Sequence, residues 1–269
     1  MCKTLGLIGA GNMGGAIIRG VVKTEAINSQ DVKIFARDAK DEKTAFSLGV
    51  NSERDSEKFV KDSDVIILAV KPKDAKTVLK NFSKYLDQKA ILSIVAGLGY
   101  SGIIGALNHV DRGCNARVLV GLPNTPVMAG EGVIAFTNET NFTDEEKSFV
   151  QKLFEQVAMV EWIDEVRLPG FAAVSGSGPA FAAIFAEALA DGAVLHGLNR
   201  QTAYRIAYQT LKGSGAVLLS SPSPSSVKDG VCSPGGTTIE GVKALEESAF
   251  RGAVMEAVNR AAQKFNALN

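Results

Sequence analysis

The sequence predicts an α/β fold in two parts: a doubly wound, mostly parallel sheet over residues 1–164, then an all-helical region over residues 165–269. Three observations carry this reading. Short β-branched runs alternate with amphipathic stretches up to about residue 160, the pattern of repeated βαβ units. One of those runs, VIILAV at residues 65–70, is apolar at every position, as a strand buried on both faces must be. Beyond about residue 165 the strand pattern stops, and Ala- and Gly-rich helical stretches replace it.

In chain order, strands are predicted at residues 4–8, 32–35, 64–70, 90–95 and 117–121, with a shorter one at 132–137. Between them, amphipathic periodicity places helices at 13–23, 40–48, 56–61, 73–85 and 101–107. Residues 143–156 (TDEEKSFVQKLFEQ) form a further helix, with Thr143 as N-cap and Glu146 three residues on to close a capping box. The second part reads as helices at 179–197, 200–220 and 238–268, with SSPSPSS (220–226) as a loop. These helices are apolar over more than one face and must be covered, yet three or four of them alone enclose little interior. A second copy of the chain is therefore expected against them, making the protein a homo-oligomer.

Composition excludes several classes of function. The 29 basic residues balance the 29 acidic ones, and no basic run exceeds two residues, so nucleic acid is not an expected partner. The longest apolar-looking run, ILSIVAGLGYSGIIGAL at 91–107, is too short for a membrane span and is interrupted by glycines and serines. The first residues enter a strand pattern directly, without a targeting segment. Cys2, Cys114 and Cys232 show neither disulfide nor zinc spacing, and His109 and His196 have no metal-ligand spacing. A reduced, cytoplasmic protein without a structural metal is expected.

Gly9-Ala10-Gly11-Asn12-Met13-Gly14 fits G-x-G-x-x-G directly after the first strand and at the start of the first helix. The first glycine permits a tight turn, the second lets backbone approach a pyrophosphate, and the third lets helix pack on strand. A Rossmann-type dinucleotide site is the functional reading; a glycine-rich turn without a ligand is the bland one. After the second strand come Arg37, which favours the 2′-phosphate of NADP, and Asp38, which pulls toward the ribose hydroxyls of NAD. NADPH is thus the preferred coenzyme, with NADH left open. Val70-Lys71-Pro72 and Leu122-Pro123-Asn124 follow later strands, where open α/β sheets place ligand-contacting loops. From spacing alone, Lys71 is equally well a surface lysine and Asn124 equally well a turn stabiliser.

Another stretch stands out: KDGVCSPGGTTIEGV, residues 228–242, gathers two glycines, a proline and small hydroxylated residues before a helical run. It reads either as a capped helix start or as a binding site made mostly of backbone. SGSGPAF at 175–181 is a similar turn into a helix, with Pro179 suited to the first turn. Ser175 there contacts either a ligand or a packed helix.

GAGNMG, AVKP, PNTP, SGSGPAF and above all VCSPGGTTIEGVKALE resemble the motifs of the pyrroline-5-carboxylate reductase family, in order from Leu5 onward. The resemblance implies an N-terminal Rossmann domain, a helical domain that interlocks a homodimer, sometimes assembled into a ring of dimers, and reduction of the C=N bond of 1-pyrroline-5-carboxylate to L-proline by NADPH or NADH. It implies that Gly9 to Gly14 bind the pyrophosphate, that Ser56 lies near the adenosine, and that Ala69, Val70, Lys71, Pro72, Ala96 and Gly97 line the coenzyme groove. Asn124 would lie near the nicotinamide ribose. Val231, Ser233, Gly235, Gly236, Thr237 and Thr238 would form the substrate pocket. One departure is that several relatives carry a glutamate in the preceding loop, where this chain has Ser220-Ser221-Pro222.

This chemistry asks little of a strong acid, because a protonated imine is already electrophilic. The substrate carboxylate needs an anion site, which a helix starting at an expected Thr237 cap with Glu240 three residues on, preceded by Gly235 and Gly236, would offer. Thr238 is the first choice for the hydroxyl donor to the ring nitrogen and Ser233 the second. A β-hydroxyacid dehydrogenase would need a lysine early in its helical part, and residues 171–192 contain none. A silent dinucleotide-binding protein would have no reason to keep Ser233, Gly236 and Thr238 together.

Overall fold

The structure is a computed structural model that describes residues 4–110 and 113–267. The chain forms two compact units, Met1–Gly176 with Ala262–Asn269 and Ser177–Ala261. The first carries, in order, β1 (Leu5–Ile8), α1 (Asn12–Lys23), β2 (Val32–Phe35), α2 (Ala39–Leu48), β3 (Asn51–Glu53), α3 (Ser56–Lys61), β4 (Val65–Leu68) and α4 (Pro72–Phe82). It continues with β5 (Ala90–Ser93), α5 (Tyr100–Val110), β6 (Arg117–Pro123), β7 (Gly132–Thr137), α6 (Asp144–Glu155), β8 (Ala158–Ile163) and the short α7 (Leu168–Phe171), ending in a π-helical turn at Ala172–Gly176.

The strands form one sheet in the order β3-β2-β1-β4-β5-β6-β7-β8. The pairs from β3 across to β6 are parallel, β6 meets β7 antiparallel, and β7 pairs β8 in parallel. The order therefore reverses between β1 and β4, whose residues pair in step from Leu5↔Val65 to Ile8↔Leu68. A crevice at the carboxyl ends of these strands is where such sheets receive ligands. Every residue of β1, β4 and β5 is buried. Alternate residues feed opposite faces: Val65 and Ile67 join one core with Ile17, Ile18 and Phe154, while Ile66 and Leu68 join another with Phe59, Leu79 and Phe82. The doubly wound expectation holds, and its physical basis is this two-sided burial.

Three details differ from the sequence reading. β3 and β8 are additional strands, and β6 runs on through Pro123 to pair with Ile134. The 73–85 helix closes early, its last residues forming a 3-10 turn at Ser83–Tyr85. The capping box forms as expected on α6: Thr143 accepts from the Glu146 N–H, and the Glu146 carboxylate accepts from the Thr143 N–H.

Glu146 does a second job. Its carboxylate accepts from Arg117 Nε at 2.9 Å and Nη2 at 2.6 Å, joining the start of β6 to the start of α6 in a site where Glu146 is only 5% exposed.

The second unit holds α8 (Gly178–Leu195), α9 (Arg200–Leu219), α10 (Pro224–Val231), α11 (Thr237–Glu247) and the start of α12 (Phe250–Asn266). α8 and α9 meet through Ala190, Ala203 and Ala207, residues small enough to let the backbones close together. An Asp191–Arg200 ion pair spans the turn between them. Two expectations are corrected here. The SSPSPSS stretch is not all loop: Ser223 caps α10 and Pro224 opens it, a position where proline's missing N–H costs nothing. The helix expected at 238–268 is broken at Ala249, which takes a left-handed φ of 53°; Leu268 lies outside the described residues.

α10, α11 and α12 bury no residue, while Ile184, Leu195, Leu219 and Met255 are each more than 60% exposed. A lone unit cannot cover this apolar surface, and surface of that kind marks an association face. Among the described residues, one helical stretch, Glu165–Leu195, is long and apolar enough to cross a membrane by length and composition. It is built from a 3-10 turn, α7, the π turn and α8 in succession, with Pro169 and Pro179 inside it.

Replacing Glu146 by Ala leaves the Arg117 guanidinium without its carboxylate and is expected to destabilise the first unit by about 3 kcal/mol. Urea denaturation followed by circular dichroism reads this directly. Glu146→Gln, which keeps an acceptor for the Thr143 N–H, should lose less.

Candidate active site

The glycine turn is shaped by what cannot fit beside it. Gly9 has φ +100°, and a Cβ there would sit 2.7 Å from the Ala69 carbonyl oxygen at the end of β4. A Cβ on Gly14 would meet the Gly9 carbonyl oxygen at 2.4 Å. Gly11, by contrast, has open space where its Cβ would be. Gly11 is also the N-cap of α1, with no side chain accepting from the first-turn N–H groups and no acidic residue among them. The helix thus presents free donors and the positive end of its dipole to an unobstructed approach, which suits a pyrophosphate. Asn12 is exposed, while Ala10 and Met13 pack against the core below.

At the end of β2, Asp38 accepts from the N–H groups of Lys40 at 2.9 Å and Asp41 at 3.2 Å, capping α2. The Asp41 N–H, followed by that of Lys40 and the neighbouring Arg37 guanidinium, holds the Asp38 carboxyl below its usual range. The Arg37 side chain is 79% exposed, and its backbone N–H donates to the Asp41 carboxylate at 3.1 Å. Asp38, the residue that pulled toward NAD, is therefore committed to its own helix.

Ser56 is half-buried at the start of α3, just past a tight corner. There Glu53 accepts from the Lys58 ammonium at 2.7 Å and from the Arg54 and Asp55 N–H groups. Its carboxyl is pushed down to about 2, first by Lys58. Ala69 and Val70 are half-buried beside Gly9, and Lys71 is exposed as the N-cap of α4, with Pro72 following.

Ala96 and Gly97 lie on the loop after β5, Gly97 with a left-handed φ of 72°. They line a cavity of about 470 Å³ together with Gly99, Gly121, Leu122 and Glu165. Asn124 is buried, its Nδ2 donating to the Ser175 carbonyl at 3.0 Å and its Oδ1 accepting from the Val133 N–H at 2.8 Å. It braces β6, β7 and the π turn, so the turn-stabilising alternative is realised whatever else the residue does. The Ser175 hydroxyl donates to the Phe171 carbonyl at 2.8 Å.

In the second unit, α10 ends at Val231, which is 61% exposed. Ser233 to Gly236 form a turn closed by the Gly236 N–H on the Ser233 carbonyl at 3.0 Å. Gly235 takes φ +66°, and a Cβ on Gly236 would lie 2.3 Å from Ser233 Oγ, so the serine hydroxyl sits over a glycine. The cap differs from the expectation: Gly236, not Thr237, is the N-cap of α11, and no side chain caps it. The left-handed Gly235 and extended Gly236 start the helix one residue early, and a glycine cap costs only a few tenths of a kcal/mol against serine or threonine. Thr237 and Thr238 are then the first helical residues, both exposed, above first-turn N–H groups that no side chain occupies. Ser221 Oγ bonds Ser226 Oγ at 2.9 Å within the α10 cap.

Three contributors escaped the sequence reading: Asp41, the Asn124–Ser175 brace, and Glu165, which accepts from the Tyr100 N–H at 3.1 Å across 65 residues. Asp41 alone left a trace, as an acid in the first turn of a helix; the other two join residues far apart in sequence. Among the described residues no cluster of metal-ligating side chains occurs.

Comparison with known proteins gives consistent matches. Residues 165–268 match a family described as pyrroline-5-carboxylate reductase dimerisation, and residues 4–97 match one described as NADP oxidoreductase, coenzyme F420-dependent. The chain is 35% identical to the pyrroline-5-carboxylate reductase of Escherichia coli over 273 residues, covering 100% of this chain and 99% of that protein. It is 37% identical to the Arabidopsis thaliana enzyme of the same name over 271 residues, covering 98% and 95%. Among solved structures, Plasmodium falciparum pyrroline carboxylate reductase with NADP bound superposes with a TM-score of 0.86 at 31% identity, covering 99% of this chain and 98% of that one.

Proposed function

The chain belongs to the pyrroline-5-carboxylate reductase family, and from that premise we propose that it reduces the C=N bond of 1-pyrroline-5-carboxylate to L-proline, the last step of proline biosynthesis. The observation that carries the reading is the start of α11. A glycine-flanked helix end with no side-chain cap and two exposed threonines in its first turn fits a small carboxylate beside a polar ring atom.

The roles follow from the chemistry each group can do. The free N–H groups at Thr237 and Thr238 hold the substrate carboxylate, with Gly235 and Gly236 letting it approach backbone. The Thr238 hydroxyl donates to the ring nitrogen, and Ser233 Oγ, held over Gly236, orients the turn. Val231 shields the ring from water. A bound dihydronicotinamide supplies the hydride. The protein's task is placement, which is worth roughly 7–11 kcal/mol of such a barrier. No stronger acid than a hydroxyl is required.

Gly9, Gly11 and Gly14 fit a dinucleotide, since the open face of Gly11 leaves the α1 donors accessible. NADPH is the preferred coenzyme: Asp38 is engaged by the α2 cap through Oδ1 and by Arg37 through Oδ2 at 3.3 Å, and the 79%-exposed Arg37 guanidinium is the positive charge presented to a 2′-phosphate. The uncovered apolar faces of α8 to α12 support a homodimer through the helical unit, with a ring of dimers as a further assembly. A cytoplasmic enzyme without nucleic-acid or membrane partners fits the balanced charge.

Purified protein should oxidise NADPH, and more slowly NADH, only when pyrroline-5-carboxylate is added; no turnover with either coenzyme sinks the reading. Arg37→Ala should raise KM for NADPH about tenfold and leave that for NADH unchanged, and equal effects on both would remove the coenzyme preference. Thr238→Ala should lower kcat by about 10- to 100-fold with coenzyme affinity retained. Unchanged turnover would take Thr238 out of the site.

A further inference from the structure

The loop that carries Ala96 and Gly97 continues into α5 without a capping side chain of its own, because the residue before Tyr100 is Gly99. The missing acceptor comes from far along the chain. Glu165, in the 3-10 turn before α7, accepts from the Tyr100 N–H through Oε2 at 3.1 Å. Its other oxygen occupies the space a side chain at position 99 would need: a Cβ on Gly99 would lie 1.8 Å from Glu165 Oε1. The main chain that carries this side chain is itself anchored, since the Glu165 N–H donates to the Glu139 carboxylate at 2.9 Å.

We propose that Glu165 is a positioning residue for coenzyme binding, acting as a remote N-cap that fixes the Ala96–Gly99 loop against the groove. Three facts converge on the loop. Gly97 sits in a left-handed conformation that must be held, the α5 N–H needs an acceptor, and Gly99 is small where the carboxylate lies. Glu165 lines both the 470 Å³ cavity and a neighbouring groove of about 900 Å³ that also includes Pro72 and Gly97. Its carboxylate therefore sits where the loops after β4 and β5 come together, and a shift of this cap moves the surface that the nicotinamide end of the coenzyme would touch. The proposal rests on the coenzyme occupying this groove, as the proposed function requires.

The test measures NADPH dissociation constants by coenzyme fluorescence, together with thermal midpoints, for the unsubstituted full chain and for Glu165→Ala, Glu165→Gln, Gly99→Ala and the Gly99→Ala/Glu165→Ala pair. Glu165→Ala should weaken NADPH binding by about tenfold, the equivalent of one lost cap. Glu165→Gln keeps an oxygen acceptor and should stay within about twofold of the unsubstituted protein. Gly99→Ala evicts the carboxylate and should match Glu165→Ala, with the double variant no worse than either single one. Lowered thermal midpoints with unchanged dissociation constants would overturn the proposal, as would additive losses in the double variant. No NADPH binding by the unsubstituted protein would overturn the coenzyme reading itself, whereas normal binding with no change in any variant would overturn the role of Glu165 alone.

Discussion

A Cβ on Gly14 would lie 2.4 Å from the Gly9 carbonyl oxygen, and one on Gly9 would lie 2.7 Å from that of Ala69, so β1, α1 and β4 can meet only where no side chains intervene. This three-way approach sets the switch point of the sheet. With β1 and β4 paired in register from Leu5↔Val65 onward, the first turn of α1 is delivered to the carboxyl end of both strands. The two cores then lock it there, because alternate residues of β4 belong to opposite faces and neither face can slide without dragging the other. The loops after β4 and β5, and the Asn124 brace beyond them, take their places from that register.

The second unit follows a different logic. Its helices touch through alanines and leave bulky residues such as Ile184, Leu195 and Met255 uncovered. A monomeric domain of this size would turn those residues inward. Here the small residues make the internal contacts and the large ones face out, so the hydrophobic gain is reserved for association. The Ser233–Thr238 segment between α10 and α11, proposed to bind substrate, belongs to this unit, which ties its order to whatever covers the helices.

Much of this was legible in the residues, for identifiable reasons. Strands such as VIIL declare themselves because burial on both faces removes every polar position, and the α6 capping box spans only three residues. β3 escaped because its residues, Asn51–Glu53, are polar and contribute mainly backbone pairing at the sheet edge. β8 escaped because it alternates: Met159 points to solvent while Trp162 packs on Phe136. The break at Ala249 carries no glycine or proline to announce it. At the site, the glycine turn and the Ser233–Thr238 segment were visible as composition, whereas Glu165 was not, since its partner lies 65 residues away and only the folded sheet brings them together.

The cap at Gly236 rather than Thr237 belongs to a pattern in how several helices of this protein begin. α2, α3, α6, α9 and α10 each begin with a side chain of Asp38, Asp55, Thr143, Asn199 or Ser223 accepting from the first turn. α4 and α8 lack such a cap but place Pro72 or Pro179 in the first turn, removing a donor instead. α1 and α11 do neither: each starts from a glycine, Gly11 or Gly236, with its donors left free and no proline to reduce them. A glycine N-cap costs only a few tenths of a kcal/mol against serine or threonine, so these two ends keep their donors available at little loss of stability. These two glycine-started ends are the ones that the proposed reaction would use, one for the pyrophosphate of the coenzyme and one for the carboxylate of the substrate. On the proposed reading both anions are met by backbone N–H groups, which lets the protein bind two negatively charged molecules without adding a net positive charge, consistent with its balanced composition.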